Sequence, residues 1–235
     1  MRGSAFDCLD RVEAHSEDAR QLAQARFIRA GFLHMQVDGS EEAIALLESI
    51  VGTTPIGTTS VLASLYEQCG RAEDAASLRD RELFSGLGEV MGSICAQLHA
   101  NPPKAHADAL RKAGEALVLG FGLEEHLPET ALAFWAEAAA ASARLEEAKE
   151  ATSYLARFAS LAEEAISAAK RGDRFPAGPL FERVLTSGNM ADKVQPPAEM
   201  VRKGFLGMIE NRSEWDLLAA KDPKVAETLD RIRKI

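Results

Sequence analysis

Cysteine, aromatic side chains and positive charge are all sparse in this chain, and each shortage excludes something. Of 235 residues three are cysteine (Cys8, Cys69 and Cys95), an odd number with no C-x-x-C pair. Such spacing expects reduced thiols, packed as small apolar groups in the helices of a cytoplasmic protein. Aromatic residues make up 6%, and 27 Lys and Arg face 36 Asp and Glu, for a formal charge of -9. Phosphate neutralisation needs clustered cations, so a chain of this balance has no footprint for DNA or RNA. The basic clusters present, Lys170-Arg171 and Arg231 to Lys234, sit where helices are expected to end and complement the helix dipole. No apolar run is long enough to span a bilayer, and Met1-Arg2-Gly3-Ser4 lacks the hydrophobic core of a signal peptide. Alternating apolar and polar positions, the mark of a half-buried strand, are missing as well.

The motifs of catalysis are equally absent. His15, His34, His99, His106 and His126 include no i, i+4 pair and no HExxH. There is no GxSxG, no P-loop and no Cys/His/Asn constellation. Gly86-Leu87-Gly88-Glu89-Val90-Met91-Gly92 falls one residue off the dinucleotide fingerprint and has no strand before it, so it reads as close helix packing or a kink. Gln21-Leu22-Ala23 resembles the start of a DNA-reading helix, but the helical pattern runs on to Met35 without the required turn. The sequence therefore predicts no catalytic residue, no metal ligand and no cofactor.

What the chain does contain is helix formers and a repeat. Ala, Leu, Glu, Lys and Arg are abundant, a mixture with high helix propensity. Gly31, His34 and Ala43 recur 32 residues later as Ala63, Tyr66 and Ala75. Small residues let two helices of a hairpin close, and the larger residue fills the gap beside them. Units of this size cannot bury their apolar faces alone, so they stack and form a concave surface. The pattern predicts a short leading helix at 5–14, a long helix at 17–37 ended by Gly39, and a following helix opened by Glu41-Glu42 and closed off by Pro55. A second hairpin is predicted at 56–84 turning at Gly70, and a third pair at 85–122 with Pro102-Pro103 at a helix start. A fourth pair follows, a helix opened by Pro128 and a long one at 145–170, placing Trp135, Ala136, Ala139 and Ala148 on the repeat slots. After Gly172 the segment Phe175-Pro176-Ala177-Gly178-Pro179 reads as a breaker-rich turn. Beyond it lie helical pieces at 196–210, around Trp215 and at 223–234. The expected organisation is an array over 1–172 and a helical tail over 173–235 that caps the last hairpin.

The paired text resembles tetratricopeptide repeats. Ala63, Tyr66, Gly70 and Ala75 match the family's small residue, tyrosine, turn glycine and second-helix alanine. Gly31, His34 and Ala43 match less fully, with Asp38 at the turn, and the third match has Ala143 there. The resemblance implies an all-α, right-handed solenoid of antiparallel helix hairpins with a C-terminal capping tail.

A second resemblance covers most of the chain. The repeats, the divergent pair, the long hairpin and a tail from Phe175 to Asp222-Pro223-Lys224-Val225 are similar to the effector region of bacterial regulators with an Xre-type (Cro/C1-like) helix-turn-helix. That likeness implies a cytoplasmic, non-enzymatic domain that senses a peptide or protein ligand or mediates homodimerisation. DNA would be contacted only through a separate helix-turn-helix domain, which these residues do not include. The alternative is a free-standing adaptor that joins proteins with no link to DNA; neither reading involves a membrane. In this family the concave groove is lined by the first helix of each hairpin. Carried over, the groove positions are Ile28, Phe32, Met35 and Gln36, then Ser60, Ser64, Glu67 and Gln68, and then Ala133, Glu137 and Ala140. Amides and acids at one end could bond a peptide backbone while Phe32 and Met35 hold an apolar side chain. Packing of Ile28, Phe32 and Met35 on the leading helix is the competing expectation. Trp215 and Phe205 could serve a dimer contact or the core of the tail.

Overall fold

The computed structural model describes residues 2–36, 38–51, 57–173, 178, 180–186, 197–210 and 212–235. Val37, Pro55, Phe175, Pro176, Ala177 and Pro179, to which the sequence assigns helix-end and turn roles, lie outside them. Among the described residues every regular element is an α-helix, and none is long and apolar enough to cross a membrane. Contacts divide the chain into two compact units, Met1–Leu83 and Phe84–Ile235.

In the first unit α1 (Arg2–His15), α2 (Ala19–His34), α3 (Ser40–Glu48) and α4 (Thr58–Gln68) lead into the first part of α5 (Ala72–His99). Each boundary has a chemical cause. Asp18 caps α2 by accepting the Arg20 N–H at 2.8 Å. Gly39 permits the tight α2–α3 turn, because a Cβ there would lie 2.0 Å from the Leu33 carbonyl oxygen. Gly70, at φ +75°, ends α4 in a Schellman motif: the Arg71 N–H reaches the Tyr66 carbonyl at 2.7 Å and the Gly70 N–H reaches Glu67 at 3.1 Å. The core is formed by Ala23, Ala30 and Leu33 of α2, Ala43, Ile44 and Leu47 of α3, Leu62, Ala63, Leu65 and Tyr66 of α4, and Ala75 and Leu78 of α5. Helix α3 packs on both α2 and α4. The repeat slots Ala43, Ala63 and Ala75 are wholly buried, as the spacing predicts. Gly31 departs from it: it is exposed, a Cβ added there would meet nothing within 4 Å, and Ala30 is the buried small residue of α2.

The second unit contains the rest of α5, then α6 (Lys104–Gly120), the single turn α7 (Leu123–His126), α8 (Pro128–Arg144), α9 (Ala148–Arg171), the short α10 (Glu182–Thr186), α11 (Ala198–Ile209), α12 (Glu214–Lys221) and α13 (Pro223–Lys234). The break expected near residue 85 does not occur. Helix α5 continues because Leu87, Met91, Ile94 and Leu98 form a buried stripe at helical spacing, and burial of that size outweighs about 1 kcal/mol per interior glycine. Gly86, Gly88 and Gly92 have open space around them, so close helix packing does not explain this cluster.

Helix α8 begins with Pro128 at its first turn and buries a nearly continuous alanine surface against α9. Alanine at these positions lets the two backbones approach. The turn of this hairpin falls at Glu146, φ +60°, and not at Ala143, which is buried inside α8. Glu147 N–H to Ser142 O at 2.9 Å and Glu146 N–H to Ala143 O at 3.0 Å repeat the Schellman pattern of Gly70. The first helix of this pair therefore runs almost one turn further than the repeat register implies. Helix α9 ends at Gly172, φ +73°. In the tail, α11 packs on α8 and α9, α12 on α8 and α13, and α13 on α9. Phe205 and Trp215 are buried in this core, and the Trp215 Nε1–H donates to the Ile209 carbonyl at 2.8 Å. Core packing is the role the structure gives both of them.

Candidate partner-binding surface

Helix α2 has two apolar faces. One is covered by α3. On the other, Ile28, Phe32 and Met35 follow at i, i+4 and i+7 and are 40%, 36% and 72% exposed. Scattered exposed apolar residues are ordinary, whereas three in a row on one helix face form a surface that water covers poorly. The expected packing of the stripe on the leading helix is met in part. The Phe32 ring lies 5.9 Å from that of Phe6 on α1, tilted by 53°, so α1 supports one flank while the outer face stays open. Arg29 stands beside it, 5.6 Å above the Phe6 ring, paired with Glu13 at 2.9 Å and with Asp10. Two carboxylates against one guanidinium leave negative charge along this edge. Gln36 is exposed at the end of the stripe.

The α4 positions are differently engaged. The Ser64 hydroxyl donates to the Ser60 carbonyl of its own helix at 3.0 Å. Arg79 holds Glu67 at 2.5 Å and, through that hydrogen bond, keeps its carboxyl below the usual range. Gln68 is exposed. Behind them the Tyr66 hydroxyl donates to Glu48 at 2.6 Å, and the Arg71 guanidinium lies 4.2 Å above the Tyr66 ring. Burial, reinforced by Glu48, pushes the phenol up to about 12. His34, the counterpart of Tyr66 in the repeat, is partly buried, and its Nδ1 has no hydrogen-bond partner.

Glu137, with Ala133 and Ala140, belongs to the second unit, and the other eight groove positions belong to the first. The half-buried Glu137 carboxylate takes two bonds from Arg212, at 2.5 and 3.2 Å, and one contact with His99 Nδ1 at 3.3 Å. Burial raises its pKa, and the Arg212 hydrogen bond and charge, with His99, more than offset this and leave it lowered. This carboxylate ties α8 to the segment just before α12. Cys95 and His99 share one face of α5 near the same group. Burial, with the charge of Glu137, pushes the thiol up to about 11, the reverse of what a nucleophilic thiolate needs. Among the described residues no three His, Cys, Asp or Glu are grouped to hold a metal ion.

Sequence reasoning passes over a polar seam in the second unit. Arg111 of α6, 5% exposed, donates to Ser142 of α8 and to Asp108 one turn away and forms an ion pair with Glu147 at 2.7 Å, and Lys104 reaches the same Glu147. One turn on, Tyr154 donates to Glu115, and its ring stacks on Trp135 at 5.8 Å. The Trp135 indole N–H donates to Glu124 at 2.8 Å, with Arg157 4.9 Å above the ring. The seam fastens α6 and α7 to the α8–α9 hairpin. The i, i+3 pair Asp108–Arg111 is its one sequence signal. Compared with family models, curated proteins and solved structures, the chain gives no match.

Proposed function

We propose that this chain is a tetratricopeptide-like array of helix hairpins that binds a peptide or protein partner, with the outer face of α2 as the principal contact. The observation that carries the reading is the exposed stripe Ile28, Phe32 and Met35, set on a helix whose other face is packed. An apolar stripe at i, i+4 and i+7 is the complement of a partner's apolar anchors, and the exposed Gln36 and Gln68 can bond a peptide backbone. The Schellman turns at Gly70 and Glu146 and the buried alanines of the repeat support the array. The partner role agrees with an effector region of an Xre-type regulator, in which DNA contact would come from a separate domain. It agrees equally with an adaptor.

Selection of a displayed random-peptide library on the chain, and on the triple variant Ile28→Ser, Phe32→Ser, Met35→Ser, tests the reading. Sequences with spaced apolar anchors should be enriched on the first and lost on the second. Enrichment that survives the triple change, or no enrichment on either, contradicts it.

A further inference from the structure

In the second unit, an open groove between α9 and α13 carries positive charge that nothing beside it neutralises. It holds about 1010 Å³, its described lining comes from these two helices and Ile235, and the buried Ile166 lies at its floor. Most of its acids are already engaged. Arg231 donates two bonds to Glu163, at 2.6 and 2.5 Å, and through them holds that carboxyl below its usual range. Asp230 accepts from Arg233 at 3.3 Å. Lys170, Lys224 and Lys234 also line the groove and are exposed, and among the described residues none of their ammonium groups makes a hydrogen bond or an ion pair. Glu227 is the remaining carboxylate of the described lining. Even with a carboxylate on Ile235 counted, free cations exceed free anions here, in a chain whose formal charge is -9. The helix dipole favours Lys170 and Lys234, each in the last turn of its helix, but it opposes Lys224, which lies in the first turn of α13.

Two hydroxyls narrow the chemistry. Thr152 donates to the Ala148 carbonyl and Thr228 to the Lys224 carbonyl, both at 2.8 Å. With those hydrogens committed, the two oxygens can only accept from a ligand. An ionised polyphosphate offers them nothing but acceptors, whereas a peptide brings an N–H at nearly every residue. Positions 224 and 234 are ten residues apart on α13, or about 15 Å along its axis. An extended peptide covers that distance in about five residues. We propose that the α9–α13 groove binds an extended acidic peptide, with carboxylates at its two ends on the free lysines and backbone N–H groups on the threonine oxygens. This site and the α2 face belong to different units, so either can fail in experiment without the other.

The test is an anisotropy titration of the whole chain into a rhodamine-labelled peptide, Gly-Glu-Glu-Ala-Ser-Ala-Glu-Glu-Gly, at low salt, where exposed charges are least screened. Binding should be saturable. Lys224→Gln with Lys234→Gln should weaken it about tenfold, because two exposed ion pairs are lost. Lys112→Gln with Lys203→Gln removes the same charge from exposed positions outside the groove and should change it by less than about twofold. All four lysines are exposed, so circular dichroism should show both variants folded. Gly-Ala-Ser-Glu-Glu-Glu-Glu-Ala-Gly has the same composition and charge but cannot reach both ends of the groove, and it should bind severalfold more weakly. Equal weakening by the two lysine pairs, equal binding of the two peptides, displacement by equimolar tripolyphosphate, or no saturable binding overturns the proposal.

Discussion

Helices α2 and α8 show what a neighbour does to an amphipathic helix. Both bury small side chains against the helix that follows them, Ala23 and Ala30 in one and the long alanine run in the other. In the second unit α6, α7, α11 and α12 also pack on α8, and Trp135, Phe134 and Leu132 vanish from the surface. In the first unit α1 covers only one flank of α2, and Ile28, Phe32 and Met35 remain in water. The same kind of pattern thus yields a closed core in one place and an open face in the other. Exposed apolar area costs solubility, and the function proposed above takes the open face of α2 as the surface for contact.

Substitutions sharpen the contrast, beginning with the closed region. Trp135→Ala removes the largest fully buried side chain, its indole bond to Glu124 and its stack on Tyr154. The expected cost is about 3–5 kcal/mol. Both tryptophans lie in the second unit, so the remaining Trp215 reports the loss as an earlier urea transition in fluorescence. A cost below about 1 kcal/mol would mean that this core is far looser than its burial implies.

Arg111→Met should be nearly as damaging, about 3 kcal/mol, because it leaves the partly buried Glu147 with Lys104 alone and removes the bond that the buried Ser142 hydroxyl accepts. Adding Glu147→Gln should recover part of that loss in a double-mutant cycle. Strictly additive losses would show that the two side chains do not interact.

In the first unit Tyr66→Phe should cost about 1 kcal/mol through the lost bond to Glu48. The pH dependence has a definite sign. A phenol whose folded pKa is raised contributes stability that is complete below its ordinary value near 10 and disappears as pH climbs through about 12. The difference between the unaltered chain and the phenylalanine variant should therefore shrink across that window and stay constant between about pH 7 and 9. A gap that widens above about pH 10 would reverse the assignment.

The smallest effect on stability belongs to the open face. Met35→Ser should change the stability in urea by no more than about 0.5 kcal/mol, since most of that side chain is already in water. The same change should weaken a selected peptide severalfold, and a urea titration paired with calorimetry checks both halves of the statement.

Helix content, the caps at Gly70, Pro128 and Gly172, and the buried repeat alanines were legible because each depends on local chemistry: φ, an absent N–H, or side-chain size. The continuity of α5 was not, because its glycines signal a break locally and only tertiary burial of Leu87, Met91, Ile94 and Leu98 decides otherwise. The turn at Glu146 escaped notice for a related reason, since a non-glycine residue holds the left-handed conformation there. Of the eleven groove positions, Ile28, Phe32 and Met35 lie together on one open face, Gln36, Ser60 and Gln68 are exposed, and Ser64, Glu67 and Glu137 already hold partners within the chain. Ala133 is partly buried, and Ala140, against the expectation, is wholly buried in α8. Periodicity names the face a residue lies on; it does not say which arginine will reach it. Arg79 and Arg212 approach Glu67 and Glu137 from 12 and 75 residues away.

Hydrogen–deuterium exchange with and without the tightest peptide selected on the chain is the most direct test of the contrast between the two regions. Slower exchange should appear across α2, around residues 25–36, and leave α8 and α9 unchanged. Protection centred on α8 and α9, or no protection in α2, would contradict the assignment of the open face as the partner's site.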